Sequence, residues 1–319
     1  MVKFSIEHEE FDLYKKLVYA PSPSGFELQA QKVFLNYSKE YLDKIGPDVH
    51  GNIIGVKKGK SNFNVMIIAH VDEVGILVNY IDEEGFISFR PIGGIDPAIL
   101  PGSRVRICNN SGDYVGIIGK KPIHLSKSDD GKSSVKIEDL WIDIGVKSKS
   151  EANEKVSVGD IITFEPYFKL LDNEFIISNA ADDKAGVFAM CQLIKRLSGI
   201  PTYPTIYYVS SVQEEIGLRG AKTSAFNIEP DICIAVDMTH ATDYPSMDKR
   251  QYGDIKLGAG VVITKGANIS MVLSDQRDSQ REVGNIKDYP GIVSEFHHRQ
   301  TTKTCYHGAA RNPGIRIPP

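Results

Sequence analysis

The stretch Asn64-Val-Met-Ile-Ile-Ala-His70 constrains the fold more than any other part of the chain. It is apolar without a break from Val65 to Ala69, and side chains on a strand alternate between two faces, so both faces are apolar. Such a strand must be covered on both sides, which is the condition of a parallel sheet inside an α/β layer. The run is far shorter than the roughly 20 residues that a membrane-spanning helix needs.

The surrounding sequence supplies the covering helices and more strands. Phe11, Tyr14, Leu17 and Val18 recur at helical spacing, which predicts a helix over Glu9–Val18 that stops at Pro21-Ser-Pro. Ser24-Gly-Phe-Glu27 has the S-x-x-E form of a capping box, and Leu28, Val33, Phe34, Tyr37 and Tyr41 continue a second helix to about Tyr41. Asn52-Ile-Ile-Gly-Val is a short strand. Further on, Phe175–Ser178 reads as a strand, Lys184–Leu197 as a helix, and Thr205-Ile-Tyr-Tyr-Val-Ser and Ile232-Cys-Ile-Ala-Val as two more strands. This alternation predicts an α/β fold with a mixed, mostly parallel sheet flanked by helices.

From Gly75 to Pro166 the pattern changes to short β-branched runs cut by Gly, Pro and Asp, with no helix of more than about three turns. The expected organisation is a discontinuous α/β domain, 1–72 with 166–319, and an inserted all-β domain at 73–165.

With 37 Lys+Arg against 41 Asp+Glu the formal charge is −4, which leaves no basic footprint for nucleic acid. No basic cluster beside an amphipathic stretch points to a membrane surface. The first ten residues lack the basic and apolar regions of a secretory signal, so a cytoplasmic address is expected. The four cysteines form no C-x-x-C pair; Cys108, Cys191 and Cys233 read as reduced core residues, and Cys305 is left open.

The residues able to do chemistry sit at the strand ends. His70 ends one strand and is followed by Asp72; Asp182 and Asp183 come after Phe175–Ser178; Glu214 and Glu215 come after Thr205–Val212; Asp237 ends Ile232–Val236. In an open α/β sheet that edge is where ligands bind, so groups distant in sequence can converge there. One imidazole with several carboxylates and no thiol suits Zn²⁺, Co²⁺ or Mn²⁺. Two cations about 3.5 to 4 Å apart could share a carboxylate, activate a water and polarise a carbonyl, with a free carboxylate as general base. Ordinary structural readings stand beside these. A lone His at a strand end is commonly structural, although Asp72 could fix its tautomer. Asp182-Asp183 before a helix can serve as a cap, the favoured reading for Asp183. Glu214-Glu215 could be a solvated face, but adjacent strand side chains point oppositely, so the two are not expected to share one role.

Taken together, Pro23-Ser-Gly-Phe-Glu27, Ala69-His-Val-Asp-Glu-Val-Gly75, Asp143-Ile-Gly145, Val158-Gly-Asp160, Ala181-Asp-Asp-Lys-Ala-Gly186, Val212-Gln-Glu-Glu-Ile-Gly-Leu-Arg-Gly220 and Val236-Asp237 closely resemble the M42 metallo-aminopeptidases. These are the glutamyl, leucyl and deblocking aminopeptidases that form tetrahedral particles. The resemblance implies an aminopeptidase of short peptides that uses two divalent metal ions, Zn²⁺ or Co²⁺, in a sheet-based catalytic domain interrupted by a barrel-like dimerisation domain. By the same resemblance Asp182 bridges both metals, His70 and Asp237 complete one site, Glu215 belongs to the other, Glu214 is the general base, and Asp72 orients His70. It also implies self-association, from a dimer to a dodecamer around an enclosed chamber. Some relatives carry endoglucanase labels, but glycosidases need two carboxyl groups about 5 to 9.5 Å apart across a sugar and no metal.

After about Val272 the resemblance fades. The family's closing Arg-Tyr-x-His-Ser-Pro-like motif, whose histidine completes the second metal site, is not found, and the sequence closes on Ala310-Arg-Asn-Pro-Gly-Ile-Arg-Ile-Pro-Pro319. His297, His298 and His307 are near, but Glu295–Thr304 reads as a polar exposed segment, and none of them is expected to substitute. The alternative of another class is an impaired or non-catalytic relative that binds metal or peptide, or assembles with an active paralogue. Such a protein would have no use for Glu214.

Overall fold

The computed structural model describes residues 9–125, 134–171 and 175–264, together with the backbone of strands at 293–298 and 315–316. Two compact units result, one from Met1–Asp72 with Tyr167–Pro319 and one from Glu73–Pro166.

The first unit opens with helices α1 (Glu9–Tyr19) and α2 (Leu28–Ser38) and strands β1 (Lys44–Pro47), β2 (Ile53–Lys57) and β3 (Asn64–His70). The second unit holds β4 (Gly75–Ile81), β5 (Ile87–Ile92), β6 (Arg104–Asn109), β7 (Gly112–Lys120), β8 (Leu140–Asp143), the short helix α3 (Lys149–Asn153) and β9 (Ile161–Phe164). The chain then returns to the first unit with β10 (Phe168–Leu171), β11 (Phe175–Ser178), α4 (Ala181–Leu197), β12 (Thr205–Ser211), α5 (Arg219–Ile228), β13 (Ile232–Asp237), α6 (Lys249–Tyr252), β14 (Val262–Ile263), β15 (Val293–His298) and β16 (Ile315–Arg316).

The main sheet is mixed, in the order β1-β2-β12-β3-β13-β15-β14. Its centre, β12-β3-β13, is parallel, and the pairings of β1, β2 and β15 with their inner neighbours are antiparallel. As the continuous apolar run requires, β3 is buried on both faces. Ile67 and Ala69 pack on one side with Phe34 of α2 and with Val187, Met190 and Ile194 of α4. Met66 and Ile68 pack on the other with Val209, Cys233 and the apolar stripe Ala221, Ala225 and Ile228 of α5. Cys108, Cys191 and Cys233 are buried and form no disulfide among the described residues, in line with the reading of reduced core cysteines; Cys305 lies outside the described residues.

The second unit is a closed antiparallel barrel, β4-β5-β8-β7-β6-β9. Alternation along each strand fills it: Ile76, Val78, Ile87, Ile107, Ile118 and Ile142 point inward and are fully or almost fully buried, whereas Val115 and Ile117 of β7 face outward.

Three local expectations are corrected. Ser24–Glu27 does not form a capping box: Glu27 is itself the residue preceding α2, it makes no side-chain cap, and both side chains are engaged by partners distant in sequence. Strand β11 does not belong to the main sheet; it pairs with β10 and β16 in a separate small sheet, where Ser178 Oγ lies 2.9 Å from the Tyr14 hydroxyl of α1. The segment around Glu295 is not simply a polar stretch, because Val293–His298 pairs along β13 and extends the main sheet. His307 lies outside the described residues. No helix among the described residues is long and apolar enough to cross a membrane.

Phe34 has no exposed surface at the junction of α2, α4 and the sheet. Replacing it with Ala is expected to cost roughly 3–5 kcal/mol, measured by urea unfolding of the two proteins side by side.

Candidate metal centre

The registers of the three central strands bring the reactive groups to one edge. His70 pairs with Ser211 at the end of β12, and Ile68 pairs with Ala235 of β13, so that Asp237, two residues on, comes level with His70. All three strands run in the same direction, and the segments that leave them share the sheet's C-terminal edge.

His70 is 4% exposed. Its Nδ1 lies 3.1 Å from the Asp72 main-chain oxygen and 3.6 Å from Asp72 Oδ1. With Nδ1 as donor to Asp72, Nε2 keeps its lone pair for a ligand. That nitrogen lies 3.0 Å from Asp182 Oδ1, 3.7 Å from Asp237 Oδ1 and 3.8 Å from Glu214 Oε2. Among the described residues, His70, Asp182 and Asp237 each offer a donor atom within 4.8 Å of the others, the spacing a single cation requires. Glu215, on the loop beside them, stands outside this group.

Asp182 reaches the cluster from the irregular start of α4, where Ala180 takes a left-handed conformation and Asp182 and Asp183 are not helical. The bond between the two aspartates is cis. Asp183 turns away: its Oδ2 accepts the His70 amide at 3.2 Å and its Oδ1 accepts the Gly186 amide at 3.0 Å. It thus ties the end of β3 to the first turn of α4, and a side chain at Gly186 would overlap its carboxylate.

Asp72 is fully buried and accepts three further hydrogen bonds: from Ser24 Oγ at 2.6 Å, from the Glu214 amide at 3.0 Å and from the Glu215 amide at 3.2 Å. Burial alone would raise its pKa, but the contacts with His70 and then Ser24 and the Glu214 amide outweigh it and hold the carboxyl below its usual value. For His70, burial favours the neutral ring and is likewise outweighed, here by the hydrogen bonds that the ring donates to Asp182, Asp237 and Asp72, so the pKa is raised. Burial, reinforced by neighbouring carboxylates and only partly offset by His70, pushes Glu214 up to about 7 and Glu215 up to about 8. Carboxylates held this closely in a desolvated place are short of positive charge. Together with the spacing of the donor atoms, this is the environment that a divalent cation fits.

The loop carrying the two glutamates has four consecutive amides held by side chains from elsewhere. The Val212 amide donates to Asn52 Oδ1 at 3.0 Å, Gln213 to Glu27 Oε1 at 3.2 Å, and Glu214 and Glu215 to the two oxygens of Asp72. Sequence reasoning placed Asp72 here but missed Ser24, Glu27 and Asn52. The available signal was Pro23-Ser-Gly-Phe, a tight turn in which Phe26 donates to the Pro23 carbonyl and Gly25 takes a positive φ of 91°.

The backbone of His297 and His298 stands elsewhere. Val293 of β15 is opposite Asp237, whereas His297 and His298 are opposite Cys233 and Ile232, so their backbone lies roughly 13 Å or more along the strand from the Asp237 end.

The strand ends and the start of α4 thus deliver an imidazole and carboxylates to one edge of the sheet. Comparison with known proteins gives the family. The family model for M42 glutamyl aminopeptidase matches residues 51–301, which reaches past the point near 270 where the sequence motifs fade. The lysyl aminopeptidase of Pyrococcus furiosus is 34% identical over 272 residues, covering 84% of this chain and 77% of that protein. The structure resembles the TET aminopeptidase of Thaumarchaeota archaeon SCGC AB-539-E09, with a TM-score of 0.81, 29% identity, and 91% and 89% of the two chains covered. It also resembles the TET1 peptidase of Pyrococcus horikoshii, described as assembling into a tetrahedron or a large octahedral shell, with a TM-score of 0.77, 33% identity, and 88% and 83% covered. The chain belongs to the M42 aminopeptidase family, a family of metal-dependent hydrolases.

If Asp72 fixes the His70 ring, Asp72→Ala should weaken metal binding by roughly 10- to 100-fold in a titration against a chromogenic chelator. Unchanged affinity would remove that role.

Proposed function

We propose that this protein hydrolyses the N-terminal residue from short peptides with two divalent cations, Zn²⁺ or Co²⁺, as cofactors. The observation that carries this reading is the position of Glu214 Oε2, 3.8 Å from the same His70 nitrogen that faces Asp182 and Asp237. A carboxylate beside the donor group, but not part of it, suits proton transfer.

His70, Asp182 and Asp237 would hold one cation, and Asp182 with Glu215 would hold the other. Cations bound there would supply Lewis acidity toward water and toward the peptide carbonyl. Glu214 Oε2 would accept a proton from the attacking water and return it to the departing amine. Asp72 would keep the His70 ring and the glutamate loop in place throughout. The barrel, with Val115 and Ile117 exposed on β7, would provide a self-association surface, in keeping with the large assemblies described for the P. horikoshii relative.

The test is turnover of free aminoacyl-p-nitroanilides and short peptides against their N-acetylated forms. Cleavage confined to free amino termini, lost on chelation and restored by Zn²⁺ or Co²⁺, is expected. Mass spectrometry should find two ions per chain; fewer would overturn the dinuclear part of the reading. Glu214→Gln should lower kcat by about 10²- to 10⁴-fold with metal content unchanged, and retained turnover would refute the role given to Glu214.

A further inference from the structure

Glu27 is a buried carboxylate that the metal centre does not use. One oxygen, Oε1, accepts the Gly25 amide at 2.6 Å and the Gln213 amide at 3.2 Å, the latter 186 residues away in sequence. Gln213 is one of the few non-glycine residues with a positive φ, at 55°, a conformation that an ordinary side chain adopts only when its surroundings hold it there. It lies immediately before Glu214. On either side the amides are already held, Val212 by Asn52 and Glu214 by Asp72, so Glu27 fixes the one peptide group between these two anchors. The turn at Gly25 delivers both Ser24 and Glu27 to this loop, one to the Asp72 carboxylate and the other to the Gln213 amide.

We propose that Glu27 is a positioning residue for Glu214: by accepting the Gln213 amide it sets the left-handed step from which the Glu214 carboxylate is projected toward His70. The inference rests on the reading of Glu214 as the proton-transfer group. What Glu27 contributes is an acceptor atom at a defined reach and not a charge or a proton, and this distinguishes it from a further acid or base.

Three variants separate the possibilities. Glu27→Ala removes the acceptor, Glu27→Asp keeps the charge but shortens the reach by one methylene, and Glu27→Gln keeps an acceptor oxygen at the same reach without the charge. Ala and Asp are expected to lower kcat roughly 10- to 100-fold with KM within about threefold and metal content unchanged, and Gln to restore kcat to within about threefold of the parent. Hydrogen exchange followed by mass spectrometry, on a peptide spanning Val212–Glu215, should show faster uptake in Ala and Asp than in Gln or the parent. Equal exchange in all four proteins, unchanged kcat in Ala and Asp, or loss of kcat in Gln with retention in Asp would each overturn the proposal. If Ala does not fold, the Asp and Gln pair decides. Absence of turnover in the parent protein would refute the aminopeptidase reading instead, and the exchange data would still report whether Glu27 holds the loop.

Discussion

The site depends on the buried carboxylate of Asp72. It meets His70 Nδ1, and it takes the Ser24 hydroxyl and the amides of Glu214 and Glu215. A carboxylate removed from water costs several kcal/mol unless it is hydrogen-bonded, and here the bonds that repay burial are the ones that fix the functional groups. Orientation of the imidazole, position of the glutamate loop and docking of the segment before α2 are therefore a single electrostatic problem with one solution. Removing the Asp72 carboxylate would leave the Ser24 hydroxyl and the Glu214 and Glu215 amides without the acceptor they share.

The two units divide the labour. The first unit's sheet supplies rigid strands whose shared direction carries His70, the glutamate loop and Asp237 to one edge, while the irregular start of α4 adds Asp182. The second is a closed barrel with its own apolar interior, which needs nothing from the sheet to bury its core.

The fold was legible wherever a signal was local and strong. The unbroken run of β3 predicted coverage on both faces, and the change to short β-branched segments predicted an all-β insertion, whose barrel form only the family resemblance implied. The strand ends predicted where His70, Glu214 and Asp237 gather. What could not be read was set by long-range pairing. Ser24-Gly-Phe-Glu27 has the form of a cap, but the acceptor for Ser24 lies 48 residues away, and Glu27, besides the nearby Gly25 amide, takes a donor 186 residues away. The placement of β11 failed for a similar reason, since a four-residue apolar run does not say which sheet it joins. The roles of Glu27 and Asn52 were invisible because they act on backbone amides, which have no side chain to announce them.

The barrel's first and last strands are neighbours: Ile76 of β4 pairs with Ile162 of β9, and Leu77 with Ile161. Once the barrel has formed, an excursion of nearly a hundred residues begins and ends within one strand spacing, and to the rest of the chain it behaves as a short connection. Closing a loop of ten residues in place of one of ninety saves about 2 kcal/mol of chain entropy. The formed barrel thus acts as an entropic clasp, lowering the chain-entropy cost of bringing the two halves of the other unit together.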